Sequence, residues 1–510
     1  MDSIFNHYSI KMQQETQSLC DHLTKIGRLS QAGALLSWDQ ETYMPSGAAG
    51  TRAEQLAALS EYAHELLVSQ NTEQLLSAAA VAVSSLDPMS DEARIVSVAQ
   101  FDYDQSAKLP VKLVGDLSRE TSFAHERWVE ARATNNFSLF APSLETILQL
   151  TRKVAEALGY QEHPYDALVD MYEPGMTSLR IDQLFTELKP ELVRLTAEIS
   201  QQLTVNSDIL HRDYSVELQK KLTIDVIAAM GFDLQRGRQD IAVHPFCTNF
   251  GRDDVRLTTR YDSNFLPMSL YGSMHEAGHG LYAQGSPLAF ENTPLAGGAS
   301  LGVHESQSRL WENMVGRSRP FTEWIYPKLQ TLFSEALDTG IDEYFRAINK
   351  VQPSCIRVEA DEVTYNLHIM LRYELERDLL DGSLAVNDLP RAWNAKMQEY
   401  FGVTPKNDAE GVLQDVHWSI GSIGYFPTYT IGNILSGQLW EKINQDIPLL
   451  DQQIARGEFS ALLNWLHEHV HSHGRKYKPE ELAVHATGKP LETAAYLKYL
   501  KQKFSAIYGL

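Results

Sequence analysis

Apolar residues recur every three or four positions through most of the first 240 residues of this 510-residue chain, as they do along one face of an α-helix. Extended patterns are short, and glycine or proline marks most connections. We therefore predict a mostly α fold with a small β-sheet: a mainly helical lobe over about 1–240 and a second lobe over about 241–510, forming one domain around a deep cleft. The helical stretches are 16–36, 52–67, 91–131, 143–158 and 181–203, and the extended ones are 242–246, 255–261 and 354–358.

Composition narrows the class of protein. The chain is 43% hydrophobic and has no linker-like tract, which favours one large globular unit. Its 44 Lys and Arg against 66 Asp and Glu give a net charge of −22, and no basic run alternates with aromatic residues, so we expect neither nucleic acid nor a membrane as a partner. Residues 1–7 lack the pattern of a secretion signal, and the three cysteines are widely spaced, which favours the cytoplasm.

Residues 275–279 read HEAGH, an H-E-x-x-H pattern. On a helix, His275 and His279 lie one turn apart and can each direct a nitrogen at one tetrahedral metal ion. Glu276 lies beside the open position where water would bind, so we expect it to act as the general base and later to deliver the proton to the leaving amine. This constellation indicates metal-assisted hydrolysis.

A second copy of the pattern, HEHVH, occupies residues 467–471, and physical context separates the two. Apolar residues surround the first copy and predict a buried helix, in which histidines need a partner such as a metal. The histidine-rich run that contains the second copy ends at Gly474, which is typical of a helix end. The positive charges of Arg475, Lys476 and Lys478 follow it and oppose a dication. We therefore expect the metal at the first copy.

A catalytic zinc site needs a third protein ligand and leaves the fourth position to water or substrate. Glu305 is the candidate, because it lies beyond a loop at the start of a helical stretch over 301–315. The alternative is a surface carboxylate paired with Arg309 four residues later, and the second copy has its own downstream carboxylate, Glu492. Residues 304–313 are also rich in groups that could hydrogen-bond to metal ligands, which favours Glu305.

The chain resembles the carboxypeptidase Taq family of metallocarboxypeptidases in six motifs that follow the family's order. They are HPF at 244–246, DVRLT at 254–258, HEAGH at 275–279, HES at 304–306, IRVEAD at 356–361 and GVLQDVHW at 411–418. The segments WDQETYMP at 38–45 and RAEQL at 52–56 are also similar to the family and extend the resemblance over nearly the whole chain. The resemblance implies a cytoplasmic, mostly helical homodimer that removes C-terminal residues from peptides with one divalent ion, zinc or cobalt.

Hydrolysis of an amide also needs a donor that stabilises the oxyanion. His417 together with Tyr425 or Tyr429, which follow the QDxHW segment, are the candidates. The alternative is that these aromatic residues belong to the core and that their polar atoms have ordinary partners. Which of the three is essential stays open at this point.

Cleavage at a free C-terminus needs a group that binds the terminal carboxylate, and the planar guanidinium of arginine can make two parallel hydrogen bonds to it. Arg357 is the first candidate and Arg256 the second, with Asp254 orienting Arg256. An ordinary salt bridge is the alternative for either arginine.

The same ligand set would serve a zinc-dependent endopeptidase or oligopeptidase equally well, and C-terminally blocked substrates would distinguish them. A helical scaffold with a structural metal is a third alternative, which the open coordination position and Glu276 disfavour.

Overall fold

A computed structural model of the protein describes residues 12–510. The segment 1–7, on which the expectation about a secretion signal rests, lies outside the described residues. The prediction of a mostly α fold with a small sheet is confirmed. The helices are α1 (Gln14–Thr42), α2 (Ala49–Leu67), α3 (Gln70–Val83), α4 (Asp91–Lys108), α5 (Val111–Thr134), α6 (Ala141–Leu158), α7 (Pro164–Asp170), α8 (Ser178–Ser200), α9 (Val216–Met230), α10 (Leu266–Gln284), α11 (Leu301–Arg309), α12 (Arg319–Leu332), α13 (Ile341–Ile348), α14 (Tyr365–Asp381), α15 (Leu389–Phe401), α16 (Pro427–Asp446), α17 (Leu450–Ile454), α18 (Ser460–His469), α19 (Pro479–Thr487) and α20 (Ala494–Tyr508).

The chain divides into two compact units. The first is made of the described part of Met1–Ala107, with Ser207–Ile348 and Leu439–Pro490, and the second of Lys108–Asn206, Asn349–Gln438 and Leu491–Leu510. Each unit therefore draws on three separate stretches of chain, whereas the predicted lobes, 1–240 and 241–510, are continuous. The single domain with its deep cleft stays a prediction. Among the described residues, no helix combines the length and apolar character needed to cross a bilayer.

The sheet lies in the first unit and has three strands, β1 (Gly237–Ile241), β2 (Cys247–Asn249) and β3 (Val255–Thr259). β3 is central, parallel to β1 and antiparallel to β2. Helix α10 packs against β3 and β2. Gly280 makes this contact close, because a Cβ atom there would lie 2.9 Å from Leu257 Cδ2 on β3. The sheet thus supports the helix that carries the HEAGH motif.

Two of the predicted extended stretches are wrong. Residues 242–246 form no strand, because Pro245 has no N–H to donate and the Phe246 N–H bonds to the side chain of Thr258 at 2.8 Å. Residues 354–358 enter a short 3-10 helix, Arg357–Glu359, because the Arg357 N–H bonds to the Gln414 side chain at 2.8 Å rather than to a neighbouring strand. The helical stretch 91–131 is also divided, since Pro110 separates α4 from α5.

Candidate functional site

Helix α10 carries the HEAGH motif and is buried along nearly its whole length, as predicted for a metal-site helix. Pro267 stands in its first turn, where a missing N–H removes no helical hydrogen bond. Gly278 lets α11 approach closely, because a Cβ atom there would lie 2.6 Å from the Gln307 carbonyl oxygen. The imidazoles of His275 and His279 consequently lie close to residues of α11.

Glu305 on α11 lies opposite the two histidines. Its Oε2 atom is 3.6 Å from His275 Nε2 and 3.5 Å from His279 Nε2. Ligand atoms of these three residues all lie within 4.8 Å of one another, and no second group of three such donors occurs in residues 12–510. Two imidazole nitrogens and one carboxylate oxygen form the donor set of a catalytic zinc site, so these residues fit a divalent ion.

The carboxylate of Glu305 has two kinds of partner. Arg309 Nε donates to Oε1 at 2.6 Å, while Oε2 faces the imidazoles and accepts from Ser308 Oγ at 3.0 Å. The pairing with Arg309 that sequence offered as the alternative therefore coexists with the metal-ligand geometry. Burial opposes the charged form of Glu305, but Arg309 and His275 outweigh it and hold its pKa well below the usual range. Glu305 is thus a carboxylate, as a metal ligand must be.

Glu312 orients His275 and was not singled out from sequence. Its Oε2 lies 2.9 Å from His275 Nδ1, which leaves Nε2 free to bind a metal. Glu312 stands in a π-helical segment, Leu310–Gly316, that continues α11, and such segments are frequent at functional sites. The sequence feature that could have identified Glu312 is its spacing of two helical turns from Glu305, which places both carboxylates on one face of a helix.

Glu276 is buried, with 6% of its surface exposed. Burial raises its pKa, although His275 and His279 act in the opposite direction. A carboxylate that binds protons more readily than usual is a better general base near neutral pH. The environment of Glu276 thus suits proton transfer.

The second copy of the motif does not lie on one helix. Helix α18 ends at His469, and His471 stands in the following 3-10 turn, His471–His473, so the expected continuation of the helix to Gly474 is wrong. The cause is Val470, whose backbone leaves the helical conformation. His467 and His471 belong to no group of three metal-binding side chains among the described residues.

The second unit contains a cluster built on one partly buried aspartate. Arg357 Nε and Nη2 both donate to Asp415 Oδ1, at 2.9 and 2.8 Å, and Arg372 Nε donates to Asp415 Oδ2 at 2.6 Å. Arg357 Nη1 also donates to the Tyr365 hydroxyl at 3.0 Å. Both guanidinium groups are buried, and Asp415 neutralises only one of them. The cluster therefore favours a bound anion.

His417 adjoins this cluster. Its Nε2 atom is 3.3 Å from the Tyr429 hydroxyl, and its ring centroid is 5.5 Å from that of Tyr425. Burial lowers the pKa of His417 to about 3. The nearby guanidinium groups of Arg357 and Arg372 also lower this pKa, whereas the negative charge of Asp415 acts in the opposite direction. The imidazole is therefore neutral and can donate one N–H. Arg357 lies 5.2 Å from the Tyr429 ring centroid, so the structure brings these four candidates together in one unit.

Arg256 lies in the first unit, on β3. Its guanidinium donates to both oxygens of Asp254, at 2.9 and 3.1 Å, and stacks on the rings of Trp38 and Phe250 at 4.3 and 5.0 Å. This is the ordinary salt bridge that sequence offered as the alternative. Arg256 remains a weaker candidate for carboxylate binding than Arg357.

Glu376 on α14 was missed from sequence, although it is fully buried. Its carboxylate accepts three hydrogen bonds. The donors are the Tyr165 hydroxyl at 2.7 Å, the Trp418 indole at 2.9 Å and the Gly424 backbone N–H at 3.1 Å. Trp418 and Gly424 bound the loop between His417 and Tyr425, so Glu376 anchors both ends of that loop. Only the tertiary contacts identify it.

Stability should depend on pH through Glu376. Burial raises its pKa from the ordinary value of 4.5 to about 7, despite the three donors. Between these values the folded state holds more protons than the unfolded state, so the contribution of Glu376 to the free energy of unfolding falls as pH rises. We expect the wild type to lose about 3 kcal/mol relative to Glu376→Gln between pH 4.5 and 7 in urea unfolding.

The neighbouring Glu374 provides the control for this prediction. Burial is outweighed there by hydrogen bonds from Lys396, Tyr400 and Lys189, which lower the pKa of Glu374. Its stabilising effect is lost only as pH falls, so the difference between wild type and Glu374→Gln should change little between pH 4.5 and 7. A flat difference for Glu376→Gln as well would contradict the prediction.

Comparison with known proteins gives one consistent result. A family model described as carboxypeptidase Taq (M32) metallopeptidase matches residues 18–504. Carboxypeptidase 1 of Bacillus subtilis is 39% identical, over 96% of this chain and 98% of the relative, and thermostable carboxypeptidase 1 of Thermus thermophilus is 40% identical, over 97% and 99%. The crystal structure of an M32 carboxypeptidase from Deinococcus radiodurans superposes with a TM-score of 0.95 at 41% identity, over 98% of this chain and 100% of that one. This chain therefore belongs to the carboxypeptidase Taq (M32) family of metallopeptidases.

Proposed function

We propose that this metallocarboxypeptidase releases single amino acids from the free C-terminus of peptides, with Glu276 as the general base. The observation that carries the proposal is the group formed by His275, His279 and Glu305, with Glu276 beside it on the same helix. The chain belongs to a carboxypeptidase family, and this membership favours C-terminal release over cleavage within a peptide.

In this mechanism His275, His279 and Glu305 hold one divalent ion. When bound, the ion acts as a Lewis acid that polarises the scissile carbonyl and lowers the pKa of water. Glu276 accepts a proton from the attacking water and returns it to the nitrogen of the leaving amine. Glu312 holds the His275 ring by its Nδ1 atom, so that the other nitrogen keeps its direction.

We also propose roles in substrate binding and oxyanion stabilisation for four residues of the second unit. Arg357 binds the terminal carboxylate of the peptide, supported by the positive charge that Arg357 and Arg372 hold in excess of Asp415. His417 and Tyr425 donate hydrogen bonds to the oxyanion as it develops, and Tyr429 contacts the substrate beside them. The neutral state of His417 supports its role as a donor.

We propose zinc as the resident ion, with cobalt as an alternative, because one carboxylate and two imidazoles suit either. We also propose a cytoplasmic homodimer whose partner is a peptide with a free C-terminus, and neither nucleic acid nor membrane. The excess of acidic residues supports the last point.

One experiment tests the activity directly. A single peptide is prepared with a free and with an amidated C-terminus, incubated with zinc-loaded or cobalt-loaded protein, and followed by mass spectrometry. Stepwise shortening of the free peptide alone is the expected result. Internal cuts in both peptides would instead identify an endopeptidase, and two intact peptides would refute hydrolysis.

The role of Arg357 has its own expected outcome. Arg357→Ala should lower kcat/KM for the free peptide by about 10²-fold, because it removes a charged partner of the terminal carboxylate. The ratio of free to amidated substrate efficiency should fall with it, as measured by product release. Arg256→Ala is the matched comparison, and we expect it to keep that ratio. An unchanged ratio in Arg357→Ala would exclude the carboxylate contact.

A further inference from the structure

His471 is the last histidine of the second H-E-x-x-H copy, and it is almost completely buried, with 1% of its surface exposed. It contacts both helices that carry the candidate metal ligands. Its Nε2 atom lies 3.0 Å from Gln307 Oε1 on α11, and its ring centroid is 5.2 Å from that of Tyr282 on α10. A Cβ atom on Gly285, at the end of α10, would lie 2.6 Å from His471 Nδ1. The imidazole therefore fills a space between α10 and α11 that a side chain at 285 would close.

Gln307 connects this imidazole to the metal centre. It stands two residues after Glu305 and is fully buried. Its Nε2 atom donates to Ser306 Oγ at 3.0 Å, which fixes the amide so that Oε1 faces His471. The backbone of Gln307 also packs closely against Gly278 of the HEAGH motif, where a Cβ atom would lie 2.6 Å from the Gln307 carbonyl oxygen. The position of α11 against α10 thus depends on the surroundings of Gln307.

His471 is a neutral hydrogen-bond donor to Gln307. Since Gln307 Oε1 is an acceptor, His471 Nε2 must donate, and Nδ1 is buried without a hydrogen-bond partner. Burial holds the pKa of His471 well below its ordinary value, so the ring is neutral. A neutral donor can support α11 without repelling a nearby dication.

We propose that His471 is a positioning residue of the metal centre: through Gln307 it holds α11 so that Glu305 stays opposite His275 and His279. The inference rests on the proposed metal site and extends it to a segment that lies 164 residues away from Gln307 in the chain. It also gives the second histidine motif a function that needs no metal of its own.

His469 is the matched control within the same motif. Its ring stacks on Trp465, with centroids 4.2 Å apart, and its Nδ1 lies 2.9 Å from the Trp465 carbonyl oxygen. These contacts are local to α18. A change at His469 should therefore leave the metal centre as it is.

The test measures zinc affinity by competition with a chromophoric chelator, together with the Tm of the metal-free protein. We expect His471→Leu to weaken zinc binding about 10-fold, as for residues that orient metal ligands. His471→Gln, which offers an amide N–H near the Nε2 position, should stay within about 3-fold, and His469→Leu should match the wild type. A lower Tm of the metal-free His471→Leu protein with unchanged zinc affinity would mean a merely structural role and would overturn the proposal.

Gln307→Leu gives a second test that does not depend on how well His471→Leu folds. Gln307→Leu should weaken zinc binding to a similar extent, and the double variant should lose no more than either single one. Additive losses would refute the connection. His279→Ala separates this inference from the metal site itself: if that variant bound zinc as tightly as the wild type, the site would be wrongly assigned and the role of His471 would fall with it.

Discussion

Replacing Glu276 with glutamine is expected to lower kcat by about 10³-fold while zinc affinity stays almost unchanged. Glutamine has nearly the same shape but cannot accept the proton of the attacking water. Glu276 is not one of the three donors that lie within 4.8 Å of one another, so the ion should still bind. The measurements are kcat from amino-acid release and the zinc Kd from chelator competition.

Glu468→Gln is the control for this prediction, because Glu468 occupies the same place in the second motif and is exposed. It should keep the activity of the wild type. Full activity in Glu276→Gln would remove Glu276 from the mechanism. A loss of activity in Glu468→Gln alone would place the reaction at the second copy.

Glu305→Gln is expected to weaken zinc binding by about 10³-fold. The substitution replaces the only carboxylate of the donor group with a neutral amide, which is a weaker ligand for a dication. A 10³-fold loss of affinity corresponds to about 4 kcal/mol of binding free energy, since each 1.4 kcal/mol is about a factor of ten. Chelator competition gives the Kd, and kcat/KM at limiting zinc should fall in parallel.

Glu312→Gln provides a graded comparison. Glu312 contacts His275 Nδ1 rather than the metal position, so its loss should cost about 10- to 100-fold in zinc affinity. Zinc affinity should therefore decrease from the wild type to Glu312→Gln and again from Glu312→Gln to Glu305→Gln. Equal affinities for wild type and Glu305→Gln would exclude Glu305 as a ligand.

Sequence reasoning worked best where the deciding contacts are local. The period of an α-helix places His275 and His279 one turn apart whatever surrounds them, and the apolar residues on all sides predict the burial that α10 has. Helix ends were harder, since Pro110 divides one predicted helix and Val470 ends another early. At such points a single residue overrides the periodic pattern.

Polar partners that are distant in the chain were beyond sequence reasoning. Glu376 is one of 66 acidic residues, and only its three donors show that it anchors the loop after His417. The two roles of Glu305, toward Arg309 and toward the imidazoles, read as alternatives in sequence. They are compatible because a carboxylate has two oxygens that can face different partners.

By itself, the sequence determined the mostly α class and the spacing of His275, Glu276 and His279 along one helix, because helical periodicity and residue spacing carry that information locally. Only the tertiary structure decided that Glu305 faces those histidines, that Glu312 holds one of them, and that Asp415 lies between two arginines. It also decided the position of His471 against Gln307. The physical reason is the same in each case: hydrogen bonds and ion pairs between separate elements depend on how those elements pack, and packing is a property of the whole fold.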